Sequence, residues 1–276
     1  MTIFEELVES YHPLNEEQRT FAQRETMQKI ALAGLNRAGF FNHAAFYGGT
    51  CLRLLHGLTR YSEDMDFSLA EKNPSIHLEN YFSAIIEEFK LVGLNVEIAK
   101  KEKKIFGRVE SAFLKEDTEA YDITFQTRKM MKVKIELDTN PPLVFQTEQK
   151  LLTEPYPFYV TSMSLSCLFA GKMHALVYRA WQRRVKGRDW YDFEWYVLHN
   201  VPLNWTHLRE RIHEFTGEWI DKQVFEQQLQ EKLANTSIDM VKQDVMPFLY
   251  GRSPRELDFW SNEYFLELAS RIQWRE

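Results

Sequence analysis

The sequence predicts an α/β (α+β) core followed by an α-helical C-terminal region, and three stretches carry that prediction. Ala44–Tyr47 is short and apolar and stops at Gly48-Gly49-Thr50; the leucine-bearing Cys51–Gly57 and then Met65–Leu69 follow, which reads as strand, turn, helix, strand. Lys132–Asp138 alternates cleanly, with Val133, Ile135 and Leu137 on one side and Lys134, Glu136 and Asp138 on the other, the pattern of a half-buried strand. From Leu203 onward the regular segments all have helical spacing. This reading divides the chain into a core with N-terminal helices over residues 1–160 and a helical domain over residues 161–276 that completes the active site.

At 276 residues the chain can bury one large core or two modest ones. Its 44% hydrophobic and 27% charged residues are ordinary for a soluble globular protein, and only 11 Gly and 9 Pro argue against long flexible linkers. No apolar run approaches the roughly 20 residues of a membrane span. The opening MTIFEELVES is acidic and lacks a basic-then-apolar export pattern, so neither an anchor nor a signal is expected. Cys51 and Cys167 lie in apolar helical contexts, which predicts two buried thiols rather than a disulfide and fits a reducing cytoplasm. A net charge of −6 excludes a global basic field for nucleic acid but leaves room for a local patch.

The elements follow in chain order. Met1–Ser10 reads as a short helix before the turn at His12-Pro13. Glu16–Ala38 reads as an amphipathic helix, with Phe21, Met27, Ile30, Leu32, Leu35 and Ala38 at helical spacing. Both are expected to pack on the sheet. Pro74–Val92 carries an apolar stripe of Ile85, Ile86, Phe89 and Val92. Asn95–Ala99, Ile105–Phe113 and Tyr121–Phe125 are strand-like, and the Lys100–Lys104 run, KKEKK, is expected at a solvated hairpin tip. Leu143–Tyr159 is less regular and leads to a strand at Val160. A helix from Ser164 has Leu168, Met173, Leu176 and Val177 on its apolar face. Asp189 and Asp192 open another helix, continued by the packing residues Phe193, Trp195 and Tyr196. Helices over Trp205–Thr216, Asp221–Leu233, Ile238–Tyr250 and Glu256–Ile272 complete the chain.

The chemistry concentrates at Tyr47–Leu69. Asp64 and Asp66, at i and i+2 on a strand, point to the same side and converge. Two converging carboxylates suit Mg²⁺ (or Mn²⁺), which takes hard oxygen ligands and keeps positions open for phosphate oxygens. The Gly48-Gly49-Thr50 turn opens a helix whose backbone N–H groups suit an anion. Metal and anion cradle together point to nucleotide chemistry. Thr50 reads as a phosphate ligand through its hydroxyl or as a helix cap. Arg60 reads as a partner of the carboxylates, of phosphate, or of a surface salt bridge, and Ser62 as a triphosphate contact or a fixer of the turn.

Lys172 interrupts an apolar helix, and a long cation there could reach nucleotide phosphates; His174 beside it reads as structural. Arg179, Arg183, Arg184, Lys186 and Arg188 form the strongest basic patch in an acidic protein. Asp189 and Asp192, at i and i+3, can share a helix face, where one could cap the helix or hold Lys172 or Arg188. Acids in a first turn are also favoured by the helix dipole alone.

The stretch GGTxLRLLxGLxRxSxDxDF resembles the AbiEii/AbiGii toxin group of the DNA polymerase β-like nucleotidyltransferase superfamily, and the resemblance spans roughly residues 44–200. It implies a polymerase β-like nucleotidyltransferase core with a mixed sheet, followed by the α-helical region. It puts Glu136 in the role of the third carboxylate beside Asp64 and Asp66 at the metal, with Asp138 on the same face as its rival. The third acid would take the proton of the attacking hydroxyl or tune the ion. The K-x-x-A segment at Lys172 and the R-D-x-x-D motif of Arg188, Asp189 and Asp192 match the family's later motifs. The resemblance further implies an NTP substrate, a tRNA 3′ end as acceptor in some members, and a cognate antitoxin encoded nearby in toxin–antitoxin or phage-defence systems.

On this reading Gly48, Gly49, Thr50 and Ser62 surround the phosphates while Arg60 and Lys172 offset their charge. An enzyme acting on a small molecule or a protein, and a non-catalytic NTP-binding module, are the competing readings; the full set of charged motifs argues against the last. A zinc enzyme is not expected, since no Cys/His cluster has ligand spacing, and no P-loop occurs.

Overall fold

The computed structural model describes residues 1–100, 117–126, 130–179, 185–249 and 254–276. The predicted strand Ile105–Phe113, Lys101–Lys104 of the basic run, and Arg183 and Arg184 lie outside the described residues. The chain divides into two units, one of Met1–Gly57, Tyr61–Pro141 and Thr147–Ser162, the other of Leu58–Arg60, Pro142–Gln146 and Met163–Glu276.

The first unit is built on a mixed sheet of seven strands among the described residues: β1 (Ala44–Tyr47), β2 (Asp64–Leu69), β3 (Val96–Lys100), β4 (Thr118–Gln126), β5 (Met130–Asp138), β6 (Thr147–Leu152) and β7 (Phe158–Met163). Their order is β3-β4-β5-β2-β1-β7-β6. β2 lies antiparallel to β1 and parallel to β5, with Tyr47 opposite Asp66, Asp64 opposite Lys134, and Asp66 opposite Glu136. Strand period two then sorts the side chains. Met65, Phe67, Leu69, Val133, Ile135 and Leu137 are all buried, and Asp64, Asp66, Lys134 and Glu136 share the opposite face. Phe67 stacks on Phe46 at 5.0 Å and meets Phe40 edge-on at 5.2 Å, each pair adding about 0.5–1.5 kcal/mol beyond burial.

Helix α1 (Ile3–Glu9) starts in a capping box between Thr2 and Glu5. Helix α2 (Glu16–Arg37) packs against β5 and buries Met27, Ile30, Ala31 and Leu35. Asn15 caps it by accepting from the N–H groups of Glu17 and Gln18 at 3.1 and 3.0 Å. Helix α3 (Gly48–His56) joins β1 towards β2, and α4 (Phe82–Leu91) packs on α2.

In the second unit α5 (Leu165–Tyr178), α6 (Gly187–Leu198), α7 (Trp205–Thr216), α8 (Lys222–Asn235), α9 (Ile238–Val245) and α10 (Asn262–Ser270) pack around aromatic side chains. Phe265 meets Trp190 at 4.8 Å and Trp260 at 5.1 Å, and Phe169 stacks on Tyr196 at 4.6 Å. Two short parallel strands, β8 (Leu203–Asn204) and β9 (Trp274–Arg275), add to this helical region.

Several boundaries differ from the sequence reading. The helix expected over Pro74–Val92 is α-helical only from Phe82, after a 3₁₀ turn at Leu78–Tyr81. The preceding residues are tied down by Glu119, which accepts from the Leu78 N–H at 2.8 Å and pairs with His77 at 2.5 Å. β6 was hidden in the irregular Leu143–Tyr159 because it is a polar edge strand. The helix from Ile238 stops at Val245, two residues before Pro247, which has no N–H to continue it. The last predicted helix is broken at Ser261, whose hydroxyl caps α10 by accepting from the Tyr264 N–H at 3.1 Å. Cys51 and Cys167 are both free and buried. Among the described residues no helix is long and apolar enough to cross a membrane.

Candidate active site

In the first unit Asp64 and Asp66 project from β2 on the same face, both part-exposed. Asp66 sits against the start of α3. Gly48 has φ +81°, and a Cβ built there would overlap the Asp66 carboxylate oxygen and stand 3.2 Å from its Cγ. The glycine is therefore what lets the backbone approach that carboxylate. Gly49, part-exposed, is the second residue of α3. Tyr47 occupies the N-cap position and makes no side-chain capping bond.

Thr50 departs from both roles read for it. Its side chain is completely buried and its hydroxyl donates to the backbone carbonyl of Asp64, so it joins α3 to the start of β2 instead of facing a phosphate or capping a helix. The Ser62 turn is held from outside: buried Gln28 donates to the carbonyls of Ser62 and Glu63 at 3.1 and 3.0 Å, and Arg24 pairs with Glu63 at 2.8 Å.

Across β2–β5, Glu136 stands level with Asp66, but its carboxylate meets Lys134 Nζ at 2.6 Å. Burial alone would lower the Lys134 pKa; the charges of Glu136, Asp64 and Asp66 outweigh it and the pKa is raised. Among the described residues no three His, Cys, Asp or Glu side chains come together as a metal-holding group. The donor set that fits a divalent ion is the Asp64–Asp66 pair, since Mg²⁺ is commonly held by one or two carboxylates with phosphate oxygens and water completing its shell. Asp138, the rival acid, lies two pairs further along opposite Ser68, is buried, and accepts from the Asn140 N–H at 3.1 Å.

The second unit holds a charge cluster of its own residues. Asp189 and Asp192, in the first two turns of α6, both reach the Lys172 ammonium, at 2.7 and 2.8 Å. Arg60 is 2% exposed and donates from Nε and Nη2 to both oxygens of Asp192, at 2.5 and 2.6 Å. It is therefore a buried clamp on Asp192 and not a surface salt bridge. Arg179 lies 3.5 Å from Asp189. Burial would raise the pKa of each acid, yet both are held below the usual carboxylate range, Asp189 by Lys172, Arg179 and Lys186, and Asp192 by Arg60 and Lys172. Arg188 lies over the Phe248 ring at 4.1 Å, and His174 is buried beside Tyr178 and Phe215.

Two residues were not singled out from the sequence. Lys134 carried a usable signal, since alternation alone puts it on the face of Glu136. Gln28 carried none: it is a polar residue within a helix read for its apolar stripe.

The family model of the nucleotidyl transferase AbiEii toxin of type IV toxin–antitoxin systems matches residues 30–265 of this chain. No curated protein matches it. Among solved structures, JHP933 from Helicobacter pylori is similar with a TM-score of 0.53 at 17% identity, covering 91% of this chain and 90% of that one. A candidate nucleotidyltransferase from H. pylori gives 0.51 at 16% identity, with 89% of each chain covered. The nucleotidyltransferase toxin MenT4 from Mycobacterium tuberculosis gives 0.49 at 16% identity, covering 99% of this chain and 87% of its own.

Proposed function

The chain belongs to the AbiEii nucleotidyltransferase toxin family of type IV toxin–antitoxin systems, and on that premise we propose that it transfers a nucleoside monophosphate from an NTP to an acceptor hydroxyl, the 3′ end of tRNA, with Asp64 and Asp66 as its metal ligands. The observation that carries this reading is the pair of carboxylates on one face of β2, with Asp66 set against the Gly48 turn.

A divalent ion such as Mg²⁺, when bound, would polarise the phosphate oxygens and offset their charge. Gly48 and Gly49 supply backbone beside the phosphates, and Ser62 stands at the turn that Gln28 fixes. The acceptor hydroxyl forms a new O–P bond at the α-phosphorus, the bond from that phosphorus to the bridging oxygen breaks, and pyrophosphate leaves. Glu136, positioned by Lys134, accepts the hydroxyl proton. Lys172 offsets phosphate charge, and its ammonium is preset by Asp189 and Asp192, the latter clamped by Arg60. Such catalysis is positioning and electrostatics. A cognate antitoxin encoded nearby restrains the activity, and the toxin acts in phage defence. The two free buried thiols support a cytoplasmic setting.

The test is a transfer assay. Full-length protein is mixed with total bacterial tRNA, Mg²⁺ and each NTP labelled at the α-phosphate, beside an Asp64→Ala/Asp66→Ala variant and an EDTA control. Label on tRNA that is lost in the variant and with EDTA is the expected result. Label on protein or on a small molecule would move the acceptor, and NTP binding without any transfer would leave a binding module.

A further inference from the structure

A pocket of about 60 Å³ lies within the second unit, lined among others by Arg179, Lys186, Asp189, Trp190, Lys232 and Thr236. That is several times the ~10–15 Å³ needed to hold one water. Three cations face it against a single carboxylate. Asp189 compensates these cations only in part, because its Oδ1 already meets Lys172 at 2.7 Å and its Oδ2 lies 3.5 Å from Arg179. Among the described residues the Lys186 and Lys232 ammonium groups make no hydrogen bond or ion pair; only their backbone carbonyls accept, from the Asp189 N–H at 3.0 Å and the Thr236 hydroxyl at 2.6 Å. A part-buried ammonium without a partner is costly. Burial, opposed by Asp189 and reinforced by the neighbouring cations, brings the Lys186 pKa down to about 8, and burial likewise lowers that of Lys232. An anion in the pocket would remove that cost.

We propose that this pocket is a phosphate-binding site in which Arg179, Lys186 and Lys232 hold one phosphate group. The guanidinium offers paired N–H donors and the two ammonium groups act as point charges, the combination that recognises phosphate oxygens. The phosphate comes either from a nucleic-acid backbone or from a free phosphate species. The site shares Asp189 with the cluster that holds Lys172, but its test reads phosphate binding and would stand if no transfer occurred.

The experiment uses the full chain and two probes: inorganic phosphate, followed by calorimetry, and a 5′-hydroxyl single-stranded oligoribonucleotide, followed by anisotropy at several salt concentrations. Lys186→Gln/Lys232→Gln is compared with Lys186→Arg/Lys232→Arg, and Lys232→Gln alone is measured in case the double variant unfolds. Loss of phosphate affinity by about tenfold or more in the Gln variants, with retention in the Arg variant, supports a free-phosphate site. A drop in the oligonucleotide salt slope by about 1 per lysine removed identifies a backbone site. No binding of either probe by the wild type, or equal binding by wild type and Gln variants, overturns the proposal.

Discussion

At Gly48 one missing methyl group decides where a carboxylate can sit. An alanine there must adopt φ +81° and place its Cβ into the Asp66 carboxylate. The left-handed backbone alone costs about 1–2 kcal/mol, and displacing the carboxylate that we propose holds the metal by an ångström can cost about 100-fold in rate. Gly48→Ala is therefore expected to lower transfer by about two orders of magnitude while the protein still folds, as read by the labelled-NTP assay beside circular dichroism. Arg60 makes the opposite kind of contribution. Removing it leaves Asp192, which is wholly buried, with only part of its compensation. Arg60→Met is expected to destabilise the protein by about 3–5 kcal/mol, the usual result of breaking a buried pair, measured by urea denaturation. An Arg60→Met/Asp192→Leu double variant should recover part of that loss.

At the scale of elements, the start of α6 is set by its contact with α9. Gly187 carries no side chain where a Cβ would overlap the Val241 carbonyl oxygen and lie 3.0 Å from Val245 N, and its own N–H donates to Asp244 at 2.8 Å. Gly187→Ala pushes these two helices apart and is expected to cost about 1–3 kcal/mol, as overpacked contacts do, read as a lower urea midpoint. Because α6 also carries Asp189 and Asp192, the same variant should weaken the hold on Lys172. On the sheet, alternation in β2 and β5 was legible as sequence because one face is apolar and the other charged. β6 was not legible, since an edge strand need not bury either face.

For the whole molecule, the acids of the second unit tie stability to pH. The folded pKa values of Asp189 and Asp192 lie below their ordinary 3.8. Their ion pairs thus contribute fully above that value, and the contribution is lost as pH falls through it towards the folded values. The urea midpoint should fall steeply below about pH 4, and Asp189→Asn should flatten that dependence while lowering the plateau. Added salt should change the plateau little, because these charges are buried and weakly screened.

The sequence by itself determined the paired carboxylates, the glycine turn and the strand-helix-strand frame, because each depends on local periodicity or on spacing within a few residues, whereas the later Lys172 and Arg188-Asp189-Asp192 motifs were legible through the resemblance to the family. Tertiary structure alone decided who meets whom. Arg60 reads locally as a neighbour of Asp64, yet it is clamped to Asp192, 132 residues away. Thr50 reads as a cap or phosphate ligand and bonds a strand carbonyl. Glu136 reads as a third metal acid and meets Lys134. A charged side chain states only that it needs a partner. Which partner it gets depends on which element is packed beside it once burial makes an unpaired charge too costly.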